Sequence, residues 1–88
     1  MKKYILNGAA MLSRTAAHAE IARALELPDY YGGNLDALWD VVSVMEAEIT
    51  LTQPAPMLNA LGKYGCKLLQ TLFEAAEENK NLTFALEP

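Results

Sequence analysis

The hydrophobic positions change their period several times along the chain. Residues 3–7, Lys-Tyr-Ile-Leu-Asn, place three apolar side chains in succession, the pattern of a short strand covered on both faces. Asn7-Gly8 then marks a turn. Between Thr15 and Leu27 the spacing becomes three and four, so that Ala17, His18, Ile21 and Leu25 share one stripe. This predicts an alanine-rich amphipathic helix, with Thr15 as its N-cap and Pro28 as its stop. The Pro and Gly content of residues 28–33, Pro-Asp-Tyr-Tyr-Gly-Gly, predicts a loop. Asn34 is a good N-cap for a second helix reaching about Glu46, with Leu35, Leu38, Val42 and Met45 as its buried stripe.

Residues 48–52, Glu-Ile-Thr-Leu-Thr, read as a second strand ended by Gln53-Pro54-Ala55-Pro56. A short helix is expected over 56–63, before Gly62 and Gly65 punctuate the chain. A longer helix over 66–79 carries Leu68, Leu69, Leu72, Phe73 and Ala76 on one side and Glu74, Glu77 and Glu78 on another. Residues 82–87 close as a third strand. Parallel neighbours need long connections, and helices supply them, so alternating strands and helices predict an α/β domain. The expected architecture is a three-stranded parallel sheet packed with three to four helices. At 88 residues there is room for one core.

Composition narrows the function. No apolar run approaches the ~18 residues needed to cross a bilayer, and Asn7 and Gly8 cut the N-terminal apolar run short of a secretory core. The single cysteine, Cys66, excludes an internal disulfide, fits a reducing cytoplasm, and is expected to be a small packing residue. Lys and Arg number 7 against 11 Asp and Glu, giving a net charge of -4. Such a surface repels nucleic acid and anionic membranes and attracts basic partners.

Most enzymatic arrangements fail on inventory. One His, one Cys and no Gly-x-Ser-x-Gly elbow leave no ready triad, and Gly32-Gly33 is not a nucleotide loop, so no cofactor is expected. His18 lies on the apolar stripe of the first helix, where a hydrogen-bonded, half-buried histidine is expected. The carboxylates Asp36 and Asp40 stand at i and i+4, about 6 Å apart, close enough to share a metal and to repel by about 0.2–0.5 kcal/mol. Asp36 gains from the helix dipole in the first turn, whereas Asp40 lies too deep to do so. Trp39 sits about 100° round the helix from Leu38, at the edge of the core face, and Tyr30 and Tyr31 approach through the loop. Aromatics beside acids suit protein recognition as well as a solvated helix face. Glu74 and Glu78 repeat the i, i+4 acidic spacing, and helices packed side by side would merge the acids into one negative face.

Residues 27–43, Leu-Pro-Asp-Tyr-Tyr-Gly-Gly-Asn-Leu-Asp-Ala-Leu-Trp-Asp-Val-Val-Ser, closely resemble the signature of the barstar family of intracellular inhibitors of barnase-type ribonucleases. The opening strand with Asn7-Gly8, the end of the first helix and residues 68–86 are similar to it as well. The resemblance implies a 1:1 complex in which the second helix and its preceding loop fill a basic bacterial ribonuclease cleft. Asp40 would stand in for a substrate phosphate, with Asp36 and Tyr30 beside it. Asn34, Leu35, Trp39 and Ser43 match further contact positions, Gly32 matches the close-approach glycine, Glu74 and Glu78 match the acidic positions of the last helix, and Tyr31 is expected to join them in binding the partner. Carboxylates on a rigid helix meet phosphate-binding Arg and Lys through charge-assisted hydrogen bonds, without offering a bond to cleave. Gly33 stands where the family has an acidic residue and Met45 where it has an aromatic, and residues 53–64 show little similarity. Two other readings remain: an acidic interaction or immunity module for a different toxin, and a metal or acid–base site built from Asp36, Asp40 and the glutamates.

Overall fold

The strand Ala47–Thr52 (β2) lies between Lys2–Asn7 (β1) and Leu82–Glu87 (β3), parallel to both, in a computed structural model describing residues 1–88. The register sets Tyr4, Ile49 and Phe84 in one row, with Leu6, Leu51 and Leu86 in the next but one. Ala47, Ile49 and Leu51 are buried, while Glu48, Thr50 and Thr52 between them are only half-buried. The sheet is therefore covered on one face. The expectation that β1 is covered on both is corrected: Ile5 lies on the open face and is 63% exposed. Three apolar residues in a row could not distinguish the two cases, because every second one points the other way.

β1 and β2 are joined by two helices, Arg14–Ala24 (α1) and Leu35–Val42 (α2), and β2 and β3 by Pro54–Leu61 (α3) and Lys63–Glu78 (α4). Leu6, Met11, Ile21, Leu38, Met57, Leu68 and Leu72 from these layers meet in one core with the β2 residues. No helix is long and apolar enough to cross a membrane.

The element boundaries depart from the sequence pattern for local reasons. Ser13, not Thr15, caps α1, its hydroxyl accepting from the Ala16 amide at 3.0 Å. That helix ends at Ala24, short of Pro28, and is closed by Glu26 (φ 56°), where the Leu27 amide donates to Ala22 O at 2.9 Å and the Glu26 amide to Arg23 O at 3.3 Å. This is a Schellman closure with a non-glycine residue in the left-handed region. α3 starts at Pro54, since proline at the first helical position forfeits no helical hydrogen bond. α4 runs straight through Gly65, which is buried against α3; a Cβ there would lie 3.3 Å from Leu58 and Leu61 side-chain atoms. Gly65 is thus a close-approach residue rather than a break. Cys66 is exposed, so the packing role expected for it is corrected, and Phe73 is exposed at the rim with its ring edge-on to Phe84 at 4.8 Å.

Two contacts fasten the end of β1 to β2 and to α1. A Cβ on Gly8 would fall 2.1 Å from Gln53 O, so only glycine allows the end of β1 to approach the end of β2. Glu20, only 8% exposed, accepts from the Asn7 backbone amide at 2.9 Å and from Arg23 at 3.0 and 2.7 Å. The Arg23 hydrogen bond holds its carboxyl below the usual value of 4.5, outweighing desolvation, with the Asn7 amide helping. A lowered carboxylate pKa in the folded state means stability present above 4.5 and lost as pH falls through the folded value. Glu20→Ala should therefore cost about 1–3 kcal/mol in urea unfolding at pH 7. The difference from the parent should shrink steadily below pH 4.5.

Candidate functional site

The loop from Pro28 to Gly33 begins as a tight turn, with the Tyr31 amide donating to Pro28 O at 3.0 Å. The two tyrosines then part company. Tyr30 is 88% exposed and touches no polar partner, whereas Tyr31 is half-buried and packs against the core. The Tyr31 hydroxyl meets His18 Nδ1 at 2.9 Å, and the Tyr64 hydroxyl of α4 meets His18 Nε2 at 2.6 Å. His18 is 5% exposed, as the stripe of α1 predicts, and burial lowers its pKa from the usual 6.5. Burial, aided by Tyr64, pushes Tyr31 up to about 12. Tyr31 thus rests on the core, and its hydroxyl closes a polar triad no sequence spacing announces.

Gly33, with φ 67°, turns the chain into α2, and a Cβ on it would still lie 3.9 Å from that of His18. Asn34 caps the helix as its position predicts, its Oδ1 accepting from the Ala37 amide at 2.7 Å. Within the helix, Leu38 and Val42 are buried, Leu35 and Trp39 are half-buried against the core, and Asp36 and Asp40 are exposed. The sequence expectation that Trp39 marks the boundary of the core face is met. Only two ion pairs form in the molecule, Lys2 with Glu26 and Arg23 with Glu20, so neither aspartate has a cationic partner in its own chain. No three His, Cys, Asp or Glu side chains converge as ligands to one point.

α2 stops at Val42, four residues before the expected end at Glu46. The reason is Asn79, whose Nδ2 donates to Val42 O at 3.1 Å and to Met45 O at 2.8 Å, while its Oδ1 accepts from the Asn81 amide at 3.0 Å. One side chain thus ties the last carbonyl of α2 to that of Met45 beyond it and leads the chain into β2, where the Ala47 amide donates to Asn81 O. Sequence reasoning missed Asn79; its only signal is an Asn just past a long helix. Ser43 continues the last turn half-buried, and Val44 behind it is 79% exposed.

α2 and α4 pack directly against each other. Asp36 and Leu35 share a notch of about 410 Å³ with Tyr64 and Lys67, and Asn79 sits at the far end of α2, so the two helices run in the same direction. That register brings the turn bearing Glu74 level with the second half of α2. Glu74 accepts from Gln70 at 3.0 Å, and Glu74 and Glu78 are both exposed. The arrangement offers unpaired carboxylates on a helix fixed at both ends, with an exposed tyrosine and two glycines before it. Asn79→Ala should remove the lock, lowering stability by about 1–3 kcal/mol in denaturant titration and speeding amide exchange at Ser43 and Met45.

The barstar family, described as barnase inhibitors, has a sequence model that matches residues 1–87. The chain is also 36% identical over 84 residues to YrdF of Bacillus subtilis (strain 168), a provisionally named ribonuclease inhibitor, with 92% of each chain covered. The match spans both crossovers, the loop–helix segment of the first included, and the chain belongs to the barstar family.

Proposed function

We propose that the protein inhibits a bacterial ribonuclease of the barnase type by binding one to one over its active site. The observation that carries this reading is the pair Asp36 and Asp40, exposed and without cationic partners on a helix whose two ends are locked by Asn34 and Asn79. A ribonuclease cleft holds phosphates with Arg and Lys, and these carboxylates supply the matching charge at fixed positions. Asp40 takes the central phosphate position and Asp36 the next. Tyr30, Gly32, Asn34, Leu35, Trp39 and Ser43 supply contact area and close approach, while Tyr31 supports the loop from beneath. Glu74 and Glu78 on the neighbouring helix add to the field that steers a basic enzyme toward the site. The inhibitor contributes no chemistry of its own and acts in the cytoplasm of the cell that makes the nuclease.

Inhibition assays and isothermal titration against barnase, and against the nuclease encoded beside the gene, test this directly. Asp40→Ala should weaken binding by about 2–5 kcal/mol, because a buried cationic partner is left unpaired. Retained inhibition in that variant would overturn the phosphate-mimic role. Asp36→Asn/Asp40→Asn should unfold at the same temperature as the parent or higher, since like charges at i and i+4 repel, while binding far more weakly. A marked loss of stability would show that the carboxylates serve the fold instead.

A further inference from the structure

His18 is the one side chain that touches both the binding loop and α4 through hydrogen bonds, 2.9 Å to the Tyr31 hydroxyl and 2.6 Å to that of Tyr64. Tyr64 lies in the stretch where family resemblance is weakest, and the Arg14 guanidinium stacks over its ring at 4.3 Å. We infer that His18 and Tyr64 are positioning residues for the binding loop, and that together they make nuclease binding sensitive to mildly acidic pH. The inference rests on the inhibitor reading only for the nuclease half of its test.

A neutral imidazole has one N–H and one lone pair, so one tyrosine donates to it and the other accepts from it. With both nitrogens taken, the ring cannot turn without breaking two bonds, and Tyr31 is held from below while Tyr30 faces outward. Gly33 lines the same cleft as His18, so the loop is held to this histidine through the Tyr31 hydroxyl. A proton added to His18 makes both nitrogens donors. The tyrosine that had been donating loses its acceptor, and a charge appears in a site only 5% exposed.

The surrounding charges do not relieve it. Arg14 and Arg23 lie on the same helix, the former over Tyr64 and the latter lining the cleft of about 520 Å³ beside His18. Asp29 lines that cleft from the loop, and Lys67 and Asp36 lie in the neighbouring notch with Tyr64. Arg23 is already paired with Glu20, which leaves Arg14 and Lys67 against Asp29 and Asp36, and none of these groups bonds to the imidazole. The folded chain resists protonation that the unfolded chain accepts near 6.5, so the grip holds above that pH and weakens below it.

The isosteric Tyr64→Phe removes one hydroxyl and leaves the packing. In the free chain, amide exchange at Tyr31 should rise about three- to tenfold, and the His18 ring titration followed by NMR should move from its parent midpoint. Binding to barnase between pH 5 and pH 8, expressed as the ratio of variant to parent Kd, should change with pH, since titration of the nuclease cancels in the ratio. Tyr31→Phe/Tyr64→Phe should lose less than the sum of the single changes, as expected of one network. Unchanged exchange and unchanged His18 titration in Tyr64→Phe would overturn the inference. If the parent binds no ribonuclease, the proposed function fails, while the exchange and titration results still decide the role of Tyr64.

Discussion

The structure depends on burying one row of side chains, Ala47, Ile49 and Leu51 on the central strand, against helices that also have to carry the chain back to start the next parallel strand. Each crossover runs along the covered face of the sheet, because the other face is left to Lys3, Ile5, Thr83 and Ala85. The helix with the unpaired aspartates is half of the first crossover. Its inward residues Leu38 and Val42 fill the core and its outward residues Asp36 and Asp40 face solvent, so the burial that ties β1 to β2 also fixes where the carboxylates point. A recognition surface of the proposed kind, built this way, would inherit the rigidity of the core at no separate cost in ordering.

The same division recurs between sequence neighbours. Tyr30 projects outward and Tyr31 is tied to His18; Trp39 leans on the core and Asp40 does not; Ser43 closes the last turn and Val44 stands clear of it. At each step the ordering of one residue by the fold places the next. Both ends of α2 are closed by asparagines, Asn34 on the amides and Asn79 on the carbonyls, which matters in a helix of 8 residues too short to persist by propensity alone.

Much of this is legible in the chain because it rests on local chemistry. Apolar and β-branched runs place the three strands and the 3.6 period places α1, α2 and α4, the Asn34 cap is a one-residue signal that the geometry bears out, and the His18 stripe foretells its burial. The segment from Tyr30 to Asp40 stands out by its aromatic and acidic content alone. The features that are not legible depend on residues far apart in sequence. Asn79 acts across more than thirty positions on α2, Tyr64 reaches His18 from another crossover, and Glu20 meets the Asn7 amide of the preceding strand. The boundary differences have the same origin: the apolar spacing of α2 continues toward Glu46, and the helix ends at Val42 because a distant side chain takes its carbonyls.

Those long-range contacts divide the charged groups into two populations. Glu20 and Glu26 are matched with cations and serve the fold, Glu20 by holding β1 to α1 and Glu26 by closing α1 near Lys2. Asp36 and Asp40, on a chain of net charge -4, are matched with nothing. Lys67 lines the notch beside Asp36 without forming an ion pair with it. Leaving the pair open keeps its electrostatic energy available to a partner of the proposed kind, which would gain at α2 the attraction that the fold forgoes.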